Sequence, residues 1–101
     1  MVTEIAVVEI ISDRTLEFEA AIKVAVAKFL SKSPGYLDFE ILKGIERPNV
    51  YTFLVHWEKL EDHTEGFRKS ELFLRWRELI GPFFAHPPVV DHWEHIFSLN
   101  A

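Results

Sequence analysis

The sequence predicts an α+β domain with ferredoxin-like βαββαβ order: a four-stranded antiparallel sheet with two helices on one face. Three observations lead there. The apolar segments follow the order strand, helix, strand, strand, helix, strand. The strand segments are apolar on both faces, so each face calls for a cover. Turn residues (Ser-Pro-Gly, Arg-Pro-Asn, Gly-Pro, Pro-Pro) fall between the segments, and none interrupts one.

Thr3 to Ile11 is rich in β-branched residues, with Ile5, Val7 and Ile11 on one face and Ala6, Val8 and Ile10 on the other. Glu4 and Glu9 interrupt this apolar run. In "SDRTLEFEAAIKVAVAKFLSK", Phe18, Ile22, Ala25 and Phe29 recur at helical spacing. Ser12 or Asp13 can accept the free amide hydrogens of the helix start, Glu17 and Glu19 suit its positive end, and Lys28 and Lys32 its negative end. Pro34 and Gly35 end that helix.

Tyr36–Ile45 and Val50–Trp57 follow as strands joined by "ERPN", a hairpin-length connection. In the second, Tyr51, Phe53, Val55 and Trp57 share one face, and Thr52, Leu54 and His56 the other. Another helical region begins near Lys59, is expected to break at Gly66, and resumes after Ser70 as N-cap. Leu72, Phe73, Trp76, Leu79, Ile80 and Phe83 form its apolar stripe. Gly81-Pro82 closes it, and Val89–Leu99 is the expected last strand.

Residues 1–101 are read as one domain, near the commonest domain size. The chain is 49% hydrophobic and 14% aromatic, more apolar material than a small monomer hides. The helices cover one sheet face, so the other predicts a homodimer with two sheets packed face to face. A net charge of −5 without a basic cluster argues against nucleic acid as a partner. The absence of cysteine excludes disulfides and thiolate chemistry. "MVTEIAVVEI" fits neither a signal peptide nor a membrane span, which makes the cytoplasm the expected location.

"VVDHWEHIF" concentrates Asp91, His92, Glu94 and His95. On a strand, alternation sends Asp91, Trp93 and His95 to one face and His92, Glu94 and Ile96 to the other, leaving two polar pairs, His92 with Glu94 and Asp91 with His95. Neither pair supplies three metal ligands, so no metal is expected. His63 admits two readings. It lines an apolar cleft with Phe67 four positions on, where it would exchange protons near neutrality, or it is a helix-face histidine bonded to Asp62 or Glu94. Arg68 is either an anion-holding group or a solvated helix residue. Trp57, Phe67, Phe73, Trp76 and Phe83 are either plain core or the wall of a site for a flat aromatic ligand.

The stretch "SPGYLDFEILKGIERPNVYTFLVHWEKLEDHTEGFRKSELFLRWRELIGPFF" resembles the antibiotic biosynthesis monooxygenase (ABM) domain. Matching positions are Pro34-Gly35, Phe39-Glu40, Phe53, Trp57-Glu58, Leu60, Ser70 and Phe73. The resemblance implies a dimeric α/β barrel of two ferredoxin-like protomers with a ligand cleft between sheet and helices, and no cofactor. Haem-degrading branches carry an Asn in the first strand and a His ten residues after the strand-three Trp. Here Thr3–Ile11 has no Asn, and the tenth residue after Trp57 is Phe67. Quinol-oxidising relatives carry His nine and fourteen residues after that Trp, where this chain has Gly66 and Glu71.

The resemblance thus implies a cofactor-independent monooxygenase acting on a small aromatic or quinol-type compound. Trp57, Phe67, Phe73 and Trp76 are expected to bind the ligand, His63 to accept a proton, and Arg68 or His92 to steady negative charge. The alternative is a non-catalytic dimeric barrel that binds a small hydrophobic ligand or acts as a stress-response module, with haem degradation third.

Overall fold

The computed structural model describes residues 1–100. Strand β1 (Val2–Glu9) is followed by helix α1 (Thr15–Lys28), strands β2 (Tyr36–Lys43) and β3 (Val50–Trp57), a π-helical turn (Asp62–Phe67), helix α2 (Glu71–Ile80) and strand β4 (Val89–Trp93). The strands form one antiparallel sheet in the order β2-β3-β1-β4, the expected ferredoxin-like arrangement.

Alternation decides what each strand contributes to the helix-covered face. Ala6 and Val8 of β1 are buried there with Tyr51, Phe53, Val55 and Trp57 of β3. Phe39, Ile41 and Val90 pack against the same core from the flanking strands. From α1 come Phe18, Ile22 and Ala25; the Phe18 ring lies 5.0 Å from that of Tyr51 and 6.2 Å from that of Phe53.

Several element boundaries differ from the sequence expectation. Strand β1 runs Val2–Glu9 rather than Thr3–Ile11, and α1 ends at Lys28, with a separate 3-10 turn over Leu30–Lys32 before Pro34. Helix α1 starts at Thr15 with Arg14 at the cap and no side-chain cap bond, so neither Ser12 nor Asp13 caps it. Strand β2 stops at Lys43: Gly44 still donates to the Val50 carbonyl at 2.8 Å, but the Val50 amide turns to the Arg47 carbonyl at 2.9 Å. The turn after β3 does not break at Gly66. It runs on to Phe67 as a π-helix, the Arg68 amide donating to the His63 carbonyl at 3.0 Å. Strand β4 ends at Trp93 instead of Leu99, because Trp93 already pairs with Thr3 and β1 offers no ladder beyond Val2.

Ser70 does cap α2: its Oγ accepts the Phe73 amide at 3.3 Å. Gly35 has φ +86°, and a Cβ there would sit 2.1 Å from an Asp62 carboxylate oxygen. Only glycine lets β2 begin against the π-helical turn. That contact places His63 over the end of β3.

The opposite face of the sheet is uncovered. Val7, Leu42, Val89 and Trp93 are exposed on it, Trp93 to 55%. Past β4, Ile96, Phe97 and Leu99 are exposed as well.

Candidate active site

Where β1, β3 and β4 meet the π-helical turn, a polar cluster is enclosed in aromatic rings. Glu4 stands opposite Val55 on β3 and opposite His92 on β4, on the helix-covered face. Its Oε1 accepts the Trp57 indole N–H at 3.0 Å and lies 3.4 Å from His63 Nε2. The other His63 nitrogen, Nδ1, is 2.8 Å from His92 Nε2. Both ring nitrogens of His63 are therefore engaged. Trp57 is fully buried, His63 is 3% exposed and Glu4 8%.

The π-helical turn makes this possible. It buries both His63 and Phe67 while Arg68 remains at the surface, and such turns recur where a side chain must be re-aimed for function. The His63 ring stacks on Trp57 at 5.3 Å between centroids and 20° between planes, with Phe67 5.8 Å from Trp57.

Beside the cluster lies a cavity of about 350 Å³ between sheet and helices. Its polar wall is Glu4, His63 and Arg68. The apolar wall includes Phe67, Phe73 and Trp76, with Ala6, Val8, Phe53 and Val90 from the sheet. Five of the residues singled out in the sequence (His63, Arg68, Phe67, Phe73 and Trp76) thus come together around one space. Trp57 and His92 do not line it. Trp57 supports His63 and Glu4 from beneath, and His92 holds His63 from the edge strand.

Burial governs the electrostatics. It pushes the His63 imidazole down to about 3, with the nearby charges of Arg68 and His92 acting in the same direction. His63 is neutral at physiological pH, so its contact with Glu4 is not an ion pair. Burial raises the Glu4 carboxyl; the Trp57 hydrogen bond and the Arg68 charge oppose that shift without cancelling it. His92 is also lowered, by burial first and by Arg68 second, against the pull of Asp91. Among the described residues Arg68 makes no ion pair. Its charge acts on Glu4, His63 and His92 alike.

The dense acid–histidine stretch is dispersed by the fold. His92 pairs with His63 rather than Glu94, and His95 contacts the Ser98 hydroxyl at 2.7 Å rather than Asp91. His63 contacts neither Asp62 nor Glu94; the Asp62 carboxylate accepts the Lys59 amide instead. Among the described residues no group of three or more His, Cys, Asp or Glu is placed to hold a metal ion. Sequence reasoning missed Glu4. The signal was present: an acid in phase with Ala6 and Val8 must be buried on their face, and a buried acid needs partners.

The comparisons agree with this architecture. The family model described as antibiotic biosynthesis monooxygenase matches residues 1–79. The uncharacterized protein YczJ of Bacillus subtilis is 38% identical over 96 residues, covering 95% of this chain and all of that one. A Bordetella bronchiseptica structure ascribed to the antibiotic biosynthesis monooxygenases superposes with a TM-score of 0.90 at 34% identity, over 95% of this chain and 97% of that chain. SnoaB, a cofactor-independent oxygenase from Streptomyces nogalater, solved as a mutant, shares the fold with a TM-score of 0.81 at 16% identity, over 99% of this chain and 97% of its own. From the family match over most of its length, together with relatives above 30% identity, the chain belongs to the antibiotic biosynthesis monooxygenase family.

Proposed function

We propose that the protein is a cofactor-independent monooxygenase that oxidises a small aromatic or quinol-type compound with O₂ in the cavity between sheet and helices. One observation carries this reading: an apolar, aromatic-walled cavity has its only acid–base groups, Glu4 and His63, at one corner, with Arg68 beside them. Its volume of about 350 Å³ lies within the range of small-molecule sites.

The chemistry requires little of the protein. An electron-rich phenol, hydroquinone or anthrone becomes a reductant of O₂ once it loses a proton. The site binds it, takes the proton and keeps water out. For a methylene next to an aromatic ring, R₂CH₂ + O₂ gives R₂C=O + H₂O: one oxygen atom enters the product and the other leaves as water. Glu4 and His63 form the corner at which the proton is removed. Arg68, a cation at the wall without a carboxylate partner, steadies the ligand anion. Phe67, Phe73 and Trp76 hold its rings, and Trp57 and His92 hold His63.

The active unit is a homodimer in this reading. The uncovered sheet face with Val7, Leu42, Val89 and Trp93 supports it. No helix among the described residues is long and apolar enough to cross a membrane.

Oxygen uptake by chelator-treated protein against anthrones, naphthohydroquinones and simple phenols tests the proposal, with protein-free autoxidation as control. Uptake above autoxidation that is reduced in His63→Ala is the expected result. Binding of panel compounds without uptake would replace the oxygenase with a ligand-binding barrel.

A further inference from the structure

We propose that Glu4 is the proton acceptor of this cavity and that His63, clamped between Glu4 and His92, is the residue that positions it. The inference rests on the oxygenase reading for the identity of the proton donor, a phenol O–H or an anthrone C–H, but its structural basis is independent. Three features carry it.

The first is occupancy. His63 Nε2 faces Glu4 Oε1 at 3.4 Å and Nδ1 faces His92 Nε2 at 2.8 Å. To take a proton from a ligand, His63 would have to abandon one of these contacts. Glu4 would not. Both its contacts, with Trp57 and with His63, use Oε1. Oε2 is left to meet a ligand in the cavity that Glu4 lines.

The second is hydrogen-bond direction. An ionised carboxylate only accepts. With Glu4 ionised, the 3.4 Å approach of His63 Nε2 to Oε1 favours the tautomer that carries the proton on Nε2, facing the carboxylate beside the Trp57 indole N–H. His63 Nδ1 then accepts from His92 Nε2–H. In this arrangement the Trp57 and His63 N–H groups face Glu4 and the His92 N–H faces His63, which assigns one tautomer to each histidine.

The third is placement. Glu4 is 8% exposed, and among the described residues it is the one carboxylate on the cavity wall. Trp57 of β3, His63 of the π-helical turn, His92 of β4 and the charge of Arg68 all face it, and among the described residues no second acid does. Burial raises its proton affinity, which brings a carboxylate closer to the strength that a general base needs near neutrality. In the step itself, one proton leaves the ligand O–H or C–H for Glu4 Oε2. The electron pair of that bond stays on the ligand anion, which O₂ then oxidises.

The test compares wild type, Glu4→Gln, Glu4→Asp and His63→Gln. Anaerobic anthrone binding and oxygen uptake at saturating anthrone are measured across pH, and the histidine side-chain nitrogens are followed by NMR without ligand. Glu4→Gln is expected to bind anthrone within about threefold of wild type and to lose roughly 100-fold or more in kcat at every pH, the scale of one general base. Glu4→Asp is expected to recover part of that loss. His63→Gln is expected to lose less, and to move the acid limb of the kcat profile because the group facing Glu4 Oε1 has changed. In the ligand-free wild type, His63 is expected as the Nε2–H tautomer, and Glu4→Gln to change its tautomer or titration. Full turnover in Glu4→Gln with none in His63→Gln would overturn the proposal and make His63 the base. A His63 spectrum indifferent to Glu4→Gln would overturn it whether or not anthrone is a substrate. Absence of uptake by the wild type, with the NMR coupling intact, would instead strike the oxygenase reading alone.

Discussion

Glu4 and His92 stand directly opposite each other on neighbouring strands, and His63 reaches down from the π-helical turn to touch both, at 3.4 Å and 2.8 Å. A sheet register and a helical irregularity thus meet in one line of polar contacts. Slipping β4 by one residue would send His92 to the open face and leave His63 Nδ1 without that partner.

Trp57 supports this line mechanically and electrically. It is fully buried, stacked under His63, and donates to Glu4 at 3.0 Å. Trp57→Ala is expected to cost about 3–5 kcal/mol in urea unfolding. Trp57→Phe should cost less but raise the Glu4 proton affinity further, because the indole hydrogen bond opposes that rise. Equal unfolding midpoints for Trp57→Ala and wild type would contradict the assigned burial.

Acid should unfold the protein partly through His63. Its folded proton affinity is depressed from 6.5 to about 3, so between those pH values the unfolded chain holds more protons. The corresponding stability is fully present above about pH 6.5 and is lost as pH falls toward about 3, on the order of 5 kcal/mol in all. Glu4 acts with the opposite sign: its raised affinity favours the folded state as it protonates. Urea midpoints at neutral and acid pH should therefore fall less in His63→Gln than in wild type, and more in Glu4→Gln. Parallel falls in all three proteins would count against this assignment.

Removing Arg68 should release the histidines. Its charge lowers both His63 and His92, so Arg68→Gln is expected to raise the proton affinity of each. The same change should weaken binding of phenolate-type anions by roughly fivefold, the scale of one exposed charge pair, while neutral analogues are little affected. Salt-independent binding of anions to both proteins would remove Arg68 from the site.

The open face makes a separate prediction. If Val7 and Trp93 meet a second sheet, Val7→Glu should turn a dimer into a folded monomer in sedimentation equilibrium, with far-UV circular dichroism retained. A wild type that sediments as a monomer at micromolar concentration would contradict the proposed dimer.

Much of this architecture was legible in the residues. Alternation in Val50–Trp57, the stripe from Leu72 to Phe83 and the cap at Ser70 each follow from local spacing, and each stands in the fold. The spacing of His63 and Phe67 likewise brought the cavity's helical wall into view. What was hidden depends on pairing across the chain. The end of β4 at Trp93 is set by where β1 begins, not by anything in Val89–Leu99. The partner of His92 lies 29 residues away on a π-helical turn that the presence of Gly66 disguised as a break. Glu4 read as an interruption of an apolar strand because its partners come from three other elements.

The central claim is that the cavity binds an aromatic acid and takes its proton. The most direct measurement is an anaerobic titration of the protein with anthrone, followed by absorbance at a pH where free anthrone is neutral. The predicted result is a saturable band of the deprotonated ligand in the wild type that is absent in Glu4→Gln at comparable binding. Saturable binding with the spectrum of neutral anthrone throughout would contradict the claim, and would leave a cavity that holds its ligand without preparing it for oxygen.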